Sequence, residues 1–161
     1  MRKPPEGYAL RPGVPAPNAY LRLRHEAGLT PRTHEQAVLA LHGSWAACHV
    51  IDVEGGATAG MGRLIGDGGW YFHVVDMAVL PAHQRRGIGD WILAWLLAKI
   101  RDSAPADAYV SLMADPPGRR LYARHGFAEE RERSIGMAMW LDKGHSDDPQ
   151  KVQVQVPDRR T

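Results

Sequence analysis

The chain has 161 residues, 24% of them charged and 44% hydrophobic, with a formal net charge of +2. That is the size and balance of one globular domain and leaves no room for a second full one. The weak surplus of positive charge excludes the dense basic face of a duplex-binding domain. The longest unbroken apolar stretch, Trp91 to Ala98, falls well short of the roughly 20 residues that cross a bilayer.

Cys48 is the only cysteine, which excludes an internal disulfide and a multi-thiolate zinc site and leaves a small buried hydrophobe as its expected role. Met1-Arg2-Lys3-Pro4-Pro5-Glu6 is basic but lacks the apolar stretch of a secretory signal, so a cytoplasmic location is expected.

Tyr8 to Arg11 has the length of an edge strand, broken by the proline-rich stretch Pro12 to Pro17. Asn18 is placed to cap a helix running to about Ala27, and Thr33-His34-Glu35-Gln36 has the capping-box pattern for a second helix that Gly43 stops. Trp45 to Val53 and Ala57 to Ile65, separated by Glu54-Gly55-Gly56, read as a hairpin. Asp67-Gly68-Gly69 turns the chain into Trp70 to Val79, which completes an antiparallel meander.

Leu93, Leu96, Leu97 and Ile100 then repeat at helical spacing, and Tyr109 to Met113 follows as a buried strand, a sequence that makes a right-handed parallel crossover. Pro116-Pro117-Gly118 opens a short helix carrying Leu121 and Tyr122, and Phe127 to Glu130 and Ile135 to Leu141 are expected to close the sheet. Residues 1–142 are read as a single α/β domain and 143–161 as a polar tail.

Between Val79 and Asp90 an apolar strand meets the start of an amphipathic helix, with Gln84-Arg85-Arg86-Gly87-Ile88-Gly89 at the join. Glycine lets backbone N–H groups approach a ligand, and a fresh helix start exposes unpaired amides at a positive dipole end. The combination is an anion cradle, suited to a pyrophosphate.

The strand end Met77-Ala78-Val79 followed by this run resembles the acetyl-CoA-binding segment of the GNAT acetyltransferase superfamily. Its pattern is Gln or Arg, two free positions, Gly, one free position, then Gly or Ala. Leu121-Tyr122-Ala123-Arg124-His125-Gly126-Phe127 is similar to that family's second signature, a Leu-Tyr helix ending in Gly-Phe. The resemblance covers Trp45 to Leu141. It departs at Ala114-Asp115, where family members often place an asparagine.

The resemblance implies a mixed central sheet of six to seven strands, splayed at the acetyl-CoA cleft and flanked by about four helices. It implies main-chain contacts to the pantetheine arm from Met77, Ala78 and Val79. Gln84, Arg85, Arg86, Gly87, Ile88, Gly89 and Asp90 would surround the pyrophosphate. Tyr122 would protonate the departing thiolate, with ring packing as its ordinary alternative, and the Val79 amide would meet the oxyanion.

An alkyl amine with a pKa of about 10 is almost wholly protonated at neutral pH, so its proton needs an acceptor. His73 is the candidate base, since strand alternation puts it on one face with Val75 and Met77 if no bulge intervenes. A satisfied core histidine is the alternative. Asp76 falls out of phase and is expected on the opposite side or paired with a helix. Glu26, His34 and Glu35 lie on the helices that would roof the acceptor, with solvated surface as their default. Trp45, Trp70, Tyr71 and Trp140 are candidate pocket walls.

His34-Glu35 begins like a zinc-protease motif but meets Val38 where the second ligand belongs, so no metal is expected. The expected activity is acetyl transfer from acetyl-CoA to a primary amine of a small molecule by direct attack. Protein lysine or N-terminal amines, and a non-catalytic CoA sensor, are the alternatives. No nucleic-acid or membrane partner is expected, and homodimerisation is left open.

Overall fold

In chain order the elements are β1 (Tyr8–Pro12), α1 (Pro17–Glu26), α2 (His34–His42), β2 (Ala46–Asp52), β3 (Thr58–Gly66), β4 (Tyr71–Val79), α3 (Ile88–Ser103), β5 (Tyr109–Leu112) and α4 (Arg119–Arg124), with single 3-10 turns at Pro81–His83 and Pro116–Gly118. The computed structural model describes residues 4–129, 136–139 and 141. The compact unit holding all these elements ends at Ala128.

The five strands lie in sequence order, antiparallel from β1 to β4 and parallel between β4 and β5. The count is below the six to seven expected. Phe127 to Glu129, 136–139 and 141 carry neither helix nor strand, and the rest of both expected closing strands lies outside the described residues.

Local chemistry accounts for most boundaries. The Thr33 side chain accepts from Gln36 N–H at 3.1 Å while Gln36 Oε1 accepts from Thr33 N–H at 3.0 Å, closing the capping box that starts α2. Helix α1 starts differently from expectation. Pro17 occupies its first turn after Ala16, and no side chain caps it, because proline brings a preset φ and has no N–H to satisfy. Asp67 Oδ1 accepts from the N–H groups of Gly69, Trp70 and Tyr71 at 2.8 to 3.1 Å. These bonds fix the β3–β4 turn and hold the exposed carboxyl below its usual pKa range.

Helix α3 buries Ile88, Ile92, Leu93, Leu96, Leu97 and Ile100 against Val50, Leu64, Phe72 and Val74. Each such side chain contributes about 1.5–3 kcal/mol on leaving water. The helix sits directly on the β3 backbone. A Cβ at Gly62 would lie 2.6 Å from Ile92 and 2.7 Å from the Met77 sulfur, so only glycine fits there. On the other face, α1 and α2 bury Tyr20, Leu23, Ala37 and Leu41 against Met61, Ala78 and Leu80. Cys48 is fully buried in β2, and burial pushes its thiol pKa up to about 12.

Candidate active site

Strand β5 pairs with β4 only from Tyr71↔Tyr109 to Val74↔Leu112. Its continuation runs into Pro116 and Pro117, which cannot extend the ladder, while β4 continues to Val79. Residues Val75 to Val79 therefore have β3 on one side and, among the described residues, no strand on the other. Leu80 N–H donates to Ala59 O at 2.9 Å, so antiparallel alternation turns the Val79 N–H and carbonyl away from β3 into this gap. Gln84 Nε2 donates to that carbonyl at 3.0 Å and folds the following loop against the strand end.

The loop has the backbone of an anion cradle. Arg85 and Gly87 are left-handed, with φ of +61° and +85°. The first amide to bond back into the helix is that of Trp91, which donates to Gly87 O at 3.0 Å. The N–H groups from Arg85 to Gly89 have no backbone acceptor among the described residues and lie at the positive end of α3. A left-handed arginine costs on the order of 1–2 kcal/mol, an expense usually tolerated where local backbone geometry serves a site. Arg85, Arg86 and Gly87 are exposed, so an anion reaches them freely.

Helix α4 is tied to the first turn of α3. His125 Nε2 lies 3.1 Å from Asp90 Oδ1 and Arg124 Nη2 lies 3.5 Å from the same oxygen. Leu121 reaches within contact of Gly89, so added bulk there would press on α4. Tyr122 stands over Gly118 and packs edge-on to Phe127, beside the core that also receives Met77 and Val79. Its hydroxyl makes no hydrogen bond among the described residues. Burial, with the nearby Asp115 charge adding to it, raises its pKa above the usual phenol value, so it stays protonated.

The expected alignment of His73 with Met77 is corrected by a β-bulge. Arg63 faces Val75 and Met61 faces Ala78, so Gly62 alone stands opposite Asp76 and Met77. Asp76, at φ +54°, is the strained residue of the bulge. The extra residue reverses the alternation. Phe72 and Val74 face α3 before it, Met77 and Val79 after it. His73 therefore lies with Val75 on the α1/α2 face, opposite to Met77.

There His73 Nδ1 lies 2.8 Å from Ser111 Oγ, directly across the parallel pair. Partial burial lowers the imidazole pKa below its usual value, which favours the neutral, proton-accepting form.

Asp76 bonds with a helix and a neighbouring strand, as one of its two expected placements allowed. One oxygen pairs with Arg24 of α1; the other accepts from Arg63 Nε of β3 at 2.7 Å and from the Tyr20 hydroxyl at 2.9 Å. Both arginines lie near the Tyr20 ring, and burial, with the Asp76 charge next, raises the Tyr20 pKa. Arg24 also donates to Thr30 O, and Arg63 to Ala40 O and Ser44 Oγ. Neither arginine was picked out from sequence, although Arg63 in an otherwise apolar strand is a local signal of a buried partner.

On this same face, where β4 has just parted from β5, lies a cleft of about 430 Å³ lined by Tyr20, Arg24, Arg32, Gln36, Leu39, Arg63, Val75 and Asp76 among others. Three of the four aromatic walls expected from sequence are elsewhere: Trp45 packs on Phe72 in the core, and Trp70 and Tyr71 are exposed; Trp140 lies outside the described residues. Glu26, His34 and Glu35 are exposed. Among the described residues no His, Cys, Asp or Glu cluster could hold a metal ion, and no helix is long and apolar enough to cross a membrane.

The family profile of the acetyltransferase (GNAT) domain matches residues 44–129, which is from the start of β2 to just past α4. The chain belongs to the GNAT acetyltransferase family. A curated relative, mycothiol acetyltransferase from Nocardia farcinica, is 33% identical over 132 residues, covering 81% of this chain and 40% of that protein. The chain thus spans about two fifths of that relative's length.

Among solved structures, a probable acetyltransferase from methicillin-resistant Staphylococcus aureus is 34% identical with a TM-score of 0.78, over 83% of this chain and 99% of that one. A GNAT-family acetyltransferase from Streptococcus pneumoniae shares the fold at 24% identity and a TM-score of 0.67, over 84% of this chain and 98% of its own. The splay, the cradle and the Leu-Tyr helix of this GNAT domain all fall within the matched residues. The family uses acetyl-CoA as co-substrate, and the amide-lined, arginine-flanked loop after β4 has the donor set that a diphosphate requires.

Proposed function

We propose that this chain is an N-acetyltransferase that moves the acetyl group of acetyl-CoA to a primary amine of a small molecule by direct attack in a ternary complex. The observation that carries the reading is the gap between β4 and β5. At one end it meets the amide cradle of Arg85 to Gly89, and on the far face it meets an open cleft of small-molecule size. The relative named for mycothiol supports a small acceptor.

In this scheme the amides from Arg85 to Asp90, with Arg85 or Arg86 adding a charged contact, hold the diphosphate. Met77, Ala78 and Val79 guide the pantetheine arm along β4, and Gln84 keeps the strand end and loop together. The amine nitrogen attacks the thioester carbonyl carbon. A C–N bond forms, the Val79 N–H donates to the developing oxyanion, and collapse breaks the C–S bond.

Neutral His73 takes the ammonium proton, directly or through water. With its Nδ1–H donating to Ser111 Oγ, Nε2 carries the lone pair. Tyr122, kept protonated by burial, gives its proton to the thiolate, and the second proton leaving the nitrogen as the amide forms restores the phenol, directly or through water. The proposed domain spans residues 1–142, with 143–161 as a tail.

The test is thiol release from acetyl-CoA in the presence of a panel of primary amines, alongside calorimetric titration of CoA. Turnover on at least one small amine is expected. CoA binding without turnover on any amine or lysine peptide identifies a sensor, and turnover confined to peptides identifies a protein acetyltransferase.

A further inference from the structure

The cleft on the α1/α2 face holds two guanidiniums, Arg24 and Arg63, on one carboxylate, Asp76. Arg24, Arg32 and Arg63 line it, and Asp76 supplies the negative charge among its lining residues. Arg63 is only 5% exposed, yet its hydrogen bonds leave one end unused. Nε donates to Asp76, Nη1 donates to Ala40 O and Ser44 Oγ, and Nη2 makes none among the described residues. Among the described residues no fully buried side-chain nitrogen or oxygen lacks a partner, so Nη2 keeps some exposure, and Arg63 is one of the residues that line the cleft.

A buried guanidinium with one edge fixed and the other presented to a cavity is a rigid donor for a planar or tetrahedral oxyanion. The same field is unfavourable for a bare protonated amine. Desolvation makes a guanidinium edge without an acceptor in such a place costly, which favours a ligand that answers it.

We infer that the acceptor carries an anionic group, a carboxylate or a phosphate monoester, in addition to its amine, and that Arg63 Nη2 and Arg32 receive it. Leu39, Val75 and the Tyr20 ring supply the apolar wall for the part in between. The anionic group is thereby held on the α1/α2 side and the amine is directed toward the gap in the sheet, next to the strand that carries His73. This inference rests on the N-acetyltransferase reading and narrows its substrate class.

The test compares matched amines on the full chain: phenethylamine against phenylalanine for a carboxylate, and ethanolamine against O-phosphoethanolamine for a phosphate. Thiol release is followed at saturating acetyl-CoA, and each acceptor is also titrated calorimetrically into the CoA-loaded protein. The anionic member of at least one pair is expected to show at least a tenfold higher kcat/KM, mostly through KM, and the pair that responds tells carboxylate from phosphate.

Arg32→Ala is expected to raise the KM of that acceptor severalfold while the acetyl-CoA KM stays within twofold. Arg63→Lys, which keeps the charge beside Asp76, is expected to weaken the same preference. Equal or better use of the neutral partners, or a preference indifferent to both substitutions, overturns the inference and leaves the acetyltransferase reading standing. Anionic acceptors that bind without thiol release keep the anion site, and the acetyltransferase reading falls if no amine of the wider panel is turned over either. Neither binding nor turnover with any of the four overturns the inference, and the wider amine panel then decides the acetyltransferase reading.

Discussion

Asp76 of β4 and Arg63 of β3 meet Oδ2 to Nε at 2.7 Å at the point where the β3–β4 ladder slips by one residue. The pair is almost wholly buried, and Asp76 holds Arg24 with its other oxygen. Asp76→Asn removes the charge that both guanidiniums face. A loss of about 3–5 kcal/mol of stability is expected, the usual cost of stranding a buried charge, and urea unfolding measures it. A change within 0.5 kcal/mol would show that the bulge holds without its ion pairs.

In the proposed mechanism, Tyr122→Phe removes a proton that is needed only as sulfur departs. Turnover is expected to fall about 100-fold while CoA affinity stays within twofold, because the ring and its contact with Phe127 remain. Stopped-flow thiol release and calorimetric titration separate the two quantities. Undiminished turnover would take the acid role away from this residue.

His73→Ala is expected to lower kcat/KM about 100-fold at pH 7. The deficit should narrow as pH approaches the amine pKa of about 10 and the free base becomes abundant. Because burial lowers the imidazole pKa, the wild-type enzyme should keep its base neutral below the ordinary histidine value of about 6.5 and lose it only in more acid solution. The sign for stability is the same: the unfolded chain takes up the proton first, so this histidine favours folding above about 6.5 and the benefit is lost as pH falls. A pH profile of both proteins decides, and a uniform deficit would mean that the substitution only disturbs packing with Ser111.

Arg86→Ala is expected to raise the acetyl-CoA KM severalfold with kcat nearly unchanged, since an exposed arginine beside the cradle adds affinity for the diphosphate alike in ground and transition states. Initial rates over a range of acetyl-CoA measure it. An unaltered KM would assign the charged contact to Arg85.

Gly62→Ala places a methyl group where Ile92, the Met77 sulfur and Leu96 lie within 2.6, 2.7 and 3.0 Å. A destabilisation of about 1–3 kcal/mol is expected from overpacking, read from thermal unfolding. Retained stability would mean that α3 can lift off β3 at little cost.

The parts legible in the sequence are those that neighbouring residues settle among themselves. The Thr33–Gln36 box, the Asp67 turn, the apolar stripe of α3 and the cradle pattern all close within a few residues, and each sits where its local chemistry placed it. The slip at Asp76 is different. It depends on Gly62 across the ladder and on arginines from α1 and β3, so nothing within β4 announces it, and the bulge-free alternation that aligns His73 with Met77 does not hold. Trp45, Trp70 and Tyr71 are not the pocket walls for a related reason. Aromatic content suggested tryptophans, whereas the residues that line the cleft are set by which faces of α1 and α2 turn toward the strand.

Asp90 grips His125 and Arg124 from the turn whose amides form the cradle. The platform that would seat the nucleotide end of the donor and the short segment bearing the phenol are riveted together by one carboxylate. In the proposed mechanism, alignment of the leaving sulfur with its proton source would thus be settled when the polypeptide folds, and a cut rivet would show as sloppy timing between cleavage and protonation even with the donor fully bound.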